Sequence, residues 1–140
     1  TCIKVVPMLT SCCYKTEMAV KKILVIHSDG YIRDILDICL SHIGWKIVTA
    51  RSPLEGLNHA NEYQPDAIIF DLSTVGMNFF AFVKRLRGNP HTEQIPMLLI
   101  GYEVQWLKNL PLQELKIASL LDYPRDISQL KAQITSALNW

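Results

Sequence analysis

Two periods of apolar residues alternate along this chain. Short unbroken apolar runs are followed by stretches in which apolar residues return at helical spacing. An unbroken run bounded by polar residues reads as a strand buried on both faces, and the helical spacing reads as an amphipathic helix. Ile23-Leu24-Val25-Ile26 predicts the first strand. The helix after it carries Ile32, Ile35, Leu36, Cys39, Leu40 and Ile43 on one face and stops at Gly44. Residues 45–50 predict a second strand, placed at a sheet edge because it carries Lys46 and Thr49. Ser52-Pro53-Leu54-Glu55 is a capping box with proline at the first helical position, opening a helix that runs to about Tyr63.

The third strand is residues 66–71, with Pro65 before it and Asp71 at its end. Residues 76–87 predict a helix closed by Gly88-Asn89-Pro90. Phe80 and Val83 fit its core face, and Phe79 and Phe82 cannot both share that face, which leaves aromatic surface for a partner, with Phe79 the candidate. Residues 96–100 form a fourth strand, 103–110 a short helix cut by Pro111, and 115–121 a fifth strand. The last helix takes Asp126 as its N-cap and presents Ile127, Leu130, Ile134, Ala137 and Leu138. Strands and helices in strict alternation, joined by short loops, make a doubly wound α/β domain with a parallel sheet over residues 21–140. Residues 1–20 do not follow this pattern and read as a leader or an appended stretch, with Met18 a natural start. Leu9-Thr10-Ser11-Cys12 has the outline of a lipoprotein cleavage box, but Pro7 interrupts the apolar stretch before it.

Composition narrows the function. A chain of 140 residues with net charge +1 offers no electrostatic case for nucleic acid or an anionic membrane. Lys84, Arg85 and Arg87 read as a solvated helix face. No apolar stretch approaches the roughly 20 residues of a membrane span. Cys2, Cys12, Cys13 and Cys39 show no zinc spacing and no Cys-x-x-Cys, which suits a reducing, cytoplasmic compartment.

Asp71 is the most informative residue. It ends the most apolar strand, and in open α/β sheets the functional crevice lies at the carboxyl ends of the strands. Around it the segments Lys22-Ile23-Leu24-Val25-Ile26, Pro65-Asp66-Ala67-Ile68-Ile69-Phe70-Asp71-Leu72, Gly76-Met77, Val83-Lys84-Arg85-Leu86-Arg87, Ile95-Pro96-Met97-Leu98-Leu99-Ile100 and Pro124 together resemble the receiver domain of bacterial response regulators. The resemblance covers everything after the leader. It implies a flavodoxin-like sheet in the order 2-1-3-4-5 with five flanking helices. It also implies that Asp71 stands where a histidine kinase places a phosphoryl group.

That transfer needs two acidic residues for Mg²⁺, a hydroxyl after the fourth strand and a lysine after the fifth, because the moving phosphoryl group must have its charge neutralised. On these positions the chain has His27 and Ser28, then Gly101, then Tyr123 followed by Pro124. Asp29 is the nearest substitute carboxylate, and the aromatic switch position falls on Leu120. Imidazole and a serine hydroxyl are poor Mg²⁺ ligands, so Asp29 and Asp71 are only weak metal candidates and no cofactor is expected. His27 and Asp71 lie where they can pair.

The resulting expectation is a non-enzymatic, stand-alone pseudo-receiver of a two-component system. It acts by protein contact with a kinase or a downstream regulator, with Trp106, Leu120 and Phe79 as candidate contact residues. A homodimer stays compatible with it. The alternative is a working phosphorelay receiver phosphorylated on Asp71.

Overall fold

A computed structural model describes residues 20–41, 44–74, 76–102, 104–122 and 129–140, with backbone alone for residues 31–33, 35, 39, 41 and 106. Residues 1–19 of the predicted leader, Tyr123, Pro124, the Asp126 cap and the side chain of Trp106 lie outside the described residues. The described chain runs β1 (Lys22–Ile26), α1 (Gly30–Ser41), β2 (Lys46–Ala50), α2 (Pro53–Tyr63), β3 (Ala67–Asp71), α3 (Phe79–Arg87), β4 (Met97–Gly101), a 3₁₀ helix (Val104–Asn109), β5 (Ile117–Asp122) and α4 (Leu130–Leu138). All strand pairs are parallel, and the order is β2-β1-β3-β4-β5. The edge position of β2 agrees with its polar residues.

The central strands are buried on both faces, which is why their sequences are unbroken apolar runs. Leu24, Ile26, Ile68 and Phe70 enter one core with Ala60, Phe82 and Leu86. Their neighbours Ile23, Val25, Ala67 and Ile69 point the other way, against Leu36, Leu40, Leu130 and Ile134. Two layers of helices thus clamp one sheet. Helix α2 approaches β1 very closely: a Cβ on Gly56 would lie 2.4 Å from Ile26 Cδ1. This contact seats the strand end that carries His27.

The capping serine behaves as predicted, with Ser52 Oγ accepting from the Glu55 N–H at 3.2 Å. Glu55 reaches back one residue further than a capping box requires, and its Oε1 accepts from the Arg51 N–H at 2.6 Å.

Three expectations are corrected. Helix α3 begins at Phe79, not at residue 76, because the Asn78 side chain caps it by accepting from the Ala81 N–H. That start makes Phe79, Phe82, Val83 and Leu86 the buried stripe. Phe80 is therefore not a core residue, and Phe79 is not exposed contact surface: Phe79 is 5% exposed and Phe80 is 54% exposed, stacked on it at 4.3 Å.

The expected fourth flanking helix is a 3₁₀ helix of six residues. Pro111 blocks its extension, and the Asp122 carboxylate takes up its first amide.

The third correction concerns Arg87, which does not belong to a solvated face. It is half-buried, and its guanidinium donates to the carbonyls of Leu115, Thr92, Glu93, Ile95 and Lys116. It ties the loop after α3 to the turn before β5, and burial lowers its pKa.

Candidate functional site

Five parallel strands end at one rim, and the described site residues collect there. The register pairs Ile26 with Phe70, Asp71 with Ile100, and Gly101 with Asp122. Backbone bonds fix these ends: the His27 N–H donates to the Ala50 carbonyl at 3.0 Å and the Leu72 N–H to the Ile100 carbonyl at 2.9 Å. His27, Asp71 and Gly101 are therefore neighbours by topology, as the sequence implied.

Asp71 is not a solvated carboxylate: it is 2% exposed. Its Oδ1 accepts from the Ser73 N–H at 2.7 Å and from the Ser73 hydroxyl. Its Oδ2 lies 3.0 Å from His27 Nε2. Burial alone would push the Asp71 carboxyl up. The hydrogen bonds from His27 and Ser73 outweigh it and hold the group below its ordinary value.

The histidine has a defined tautomer. Its Nδ1 accepts from the Asp29 N–H at 2.9 Å, so the proton sits on Nε2 and points at Asp71. The ring as placed satisfies both contacts.

The other positions of the pocket are also filled by the chain. Gly101 is buried, and a Cβ built on it would meet Val104 Cγ1 at 3.0 Å and Leu72 Cβ at 3.4 Å. Val104 is fully buried. The space a hydroxyl side chain would use thus holds valine methyls. Leu120 is half-buried against the core cluster on that face. Ser28 and Asp29 are exposed.

The donor set fits Mg²⁺ poorly. That ion needs octahedral oxygen ligands, commonly one or two carboxylates with water and substrate. Asp71 already spends both oxygens on hydrogen bonds. His27 turns an N–H towards the place where a cation would have to sit. Among the described residues no group of three or more His, Cys, Asp or Glu side chains is arranged to hold a metal. No helix of the described chain is long and apolar enough to cross a membrane.

Sequence reasoning missed four participants. Ser73 could have been found, since Asp-x-Ser after a strand is an Asx-turn pattern whose backbone returns to the aspartate. Thr74, buried with its hydroxyl 3.4 Å from the Ile26 carbonyl, belongs to the same turn. Val104 and Asp122 gave no signal, because nothing in one sequence says which residue fills the space a glycine leaves.

No protein-family model matches the chain. It is 33% identical over 78 residues to the transcriptional regulatory protein AfsQ1 of Streptomyces coelicolor, covering 56% of this chain and 33% of that protein. It is 27% identical over 117 residues to the DNA-binding dual master transcriptional regulator RpaA of Synechocystis, covering 84% of this chain and 48% of that protein. The chain thus spans between a third and about half of these relatives. Chemotaxis protein CheY4 of Vibrio cholerae superposes with a TM-score of 0.77 at 25% identity, over 86% of this chain and all of that one. The receiver domain of sensor histidine kinase PA1611 from Pseudomonas aeruginosa, solved with a magnesium ion in its active site cleft, shares the fold with a TM-score of 0.73 at 15% identity, over 87% of this chain and 100% of that one.

Proposed function

We propose that the chain works as a response-regulator receiver domain of two-component signalling, as its similarity to such regulators and its fold suggest, and that it signals by protein contact through a surface that phosphorylation does not switch. One observation carries this reading: both oxygens of the buried acceptor-position carboxylate are engaged by donors of the same chain. A phosphoryl acceptor must present an oxygen to an incoming phosphorus. Here Oδ1 carries two donors and Oδ2 faces an N–H in place of a metal. Losing one preorganised charge-stabilising group typically costs about 10²–10³ in rate. The acidic pair, the hydroxyl and the lysine are all replaced in this chain, although such losses are not additive.

Mg²⁺ binds weakly or not at all on this reading, and the chain has no catalytic activity of its own. Its partner is a protein, a histidine kinase or a downstream regulator. The surface formed by the 3₁₀ helix, β5 and α4 is the docking face, and a homodimer through it is one arrangement it allows. A preset face binds without the cost of a population shift. The DNA-binding relative leaves nucleic acid to be contacted through another part of the signalling assembly, since a net charge of +1 makes no electrostatic case for it here.

Intact-protein and peptide mass spectrometry after incubation with acetyl phosphate and Mg²⁺ tests the reading. The expected result is no phosphoryl adduct on Asp71. A stoichiometric adduct there overturns it and promotes the alternative, a working phosphorelay receiver.

A further inference from the structure

The rim of the sheet holds a second buried carboxylate that the acceptor position does not use. Asp122 ends β5 beside Gly101 of β4 and is 7% exposed. Its Oδ1 accepts from the Val104 N–H at 2.9 Å, and its Oδ2 accepts from Gln105 Nε2 at 3.3 Å. Val104 opens the 3₁₀ helix, so its amide has no partner within that helix. The carboxylate supplies one, and a charged acceptor makes the bond stronger than a neutral one. The same Val104 puts Cγ1 3.0 Å from where a Cβ on residue 101 would stand.

We infer that Asp122, Val104 and Gly101 form a latch that holds the segment after β4 folded down on the end of the sheet. Asp122 is the catch, Val104 is the bolt, and the missing side chain of Gly101 is the socket. The three are mutually dependent. A hydroxyl residue at 101 and Val104 in its present place compete for the same space. Val104 stays in place because Asp122 holds its amide. The latch fixes the surface carried by the 3₁₀ helix in one position, whatever the state of Asp71. It deepens the preset-surface reading by naming the residues that preset it, and it stands or falls separately from whether Asp71 takes phosphate.

Amide hydrogen exchange and a double-mutant cycle on the full chain test it. Asp122→Ala is expected to speed exchange at Val104 by about tenfold or more, the effect of removing one buried charge-assisted bond. Asp122→Asn keeps an oxygen acceptor without its charge and is expected to exchange at a rate between the native protein and Asp122→Ala. Gly101→Thr alone is expected to lower the folding equilibrium constant. Combined with Val104→Ala it is expected to recover most of that loss, with a coupling of about tenfold between the two sites. If Asp122→Ala exposes every core amide, the domain has unfolded, and Asp122→Asn and the cycle decide. Unchanged Val104 exchange in a folded Asp122→Ala protein, or strictly additive costs in the cycle, overturns the latch. An Asp71 phosphoryl adduct on a protein whose Val104 amide stays protected overturns only the expectation that Asp71 takes no phosphate, and an adduct that exposes the Val104 amide overturns the latch.

Discussion

Asparagine at position 71 is the usual neutral stand-in for an acceptor aspartate, and this structure predicts that it is not neutral here. Asp71 accepts at both oxygens, from Ser73 at Oδ1 and from His27 at Oδ2. An asparagine amide has one oxygen and one NH₂. With its oxygen towards Ser73, the NH₂ meets the Nε2–H of His27. Turned over, it meets the Ser73 N–H. His27 relieves the conflict by moving its proton only if Nδ1 gives up the Asp29 N–H. With the oxygen kept on Ser73 the buried His27 N–H loses its acceptor; turned over, the conflict moves to the Ser73 N–H on an exposed residue, and either way one bond to a charged acceptor is lost.

Losing a hydrogen bond to a charged acceptor costs about 2 kcal/mol. For a domain of 140 residues that is a fall in melting midpoint of about 6 °C. Urea denaturation at neutral pH, followed by circular dichroism, measures it. The pH dependence separates this cause from any other. The folded-state pKa of Asp71 lies below its ordinary value near 3.8. Its ionised form therefore stabilises the fold fully above that value, and the contribution is lost as pH falls through the folded pKa. The gap between native protein and Asp71→Asn should be full at neutral pH and should close in strong acid. An Asp71→Asn protein as stable as the native one at neutral pH, or a gap that does not narrow in acid, refutes the donor-conflict argument.

Three further outcomes follow from other contacts. Arg87→Met removes donors to five carbonyls and is expected to cost about 2–4 kcal/mol in urea denaturation; Arg87→Lys is expected to recover only part of it, since an ammonium lacks the fork that reaches both segments. Gly56→Ala drives a methyl against Ile26, 2.4 Å from its Cδ1, and is expected to cost about 1–3 kcal/mol by overpacking. His27→Asp with Ser28→Asp places three carboxylates at the rim and removes the donor from Asp71; it is expected to be less stable than native without Mg²⁺ and to gain melting temperature on titration with Mg²⁺, whereas the native protein should show no such gain.

The fold was legible because its strands are buried on both faces. Runs such as Ile68-Ile69-Phe70 have no other comfortable place in a protein of this size, and the residues that break them mark the strand ends. Errors arose where a side chain decides a boundary. Asn78 could equally have lain inside a helix starting at residue 76, and its capping bond shifts the buried stripe so that Phe79 goes in and Phe80 comes out. Arg87 looked solvated because charge on a helix usually is. Only the carbonyls of the loop after α3 and of the distant turn before β5, brought together around it, give it reason to be buried.

The site was legible in its losses and not in its replacements. Taken position by position, the resemblance to receiver domains implies that His27, Ser28, Gly101 and Tyr123 stand where two acids, a hydroxyl and a lysine are expected. It does not show that the vacated interactions are taken over. Removing a metal and a lysine from around a buried carboxylate leaves a charge that must find donors or stay protonated. Ser73 and His27 are those donors, and they keep Asp71 ionised without metal. Removing the hydroxyl leaves a void, and Val104 fills it. A pocket that had merely decayed would show unsatisfied groups and empty space at these points. This one is closed by its own chain at each described point, which is what a domain needs if it keeps the receiver shape for its surface and gives up the chemistry beneath it.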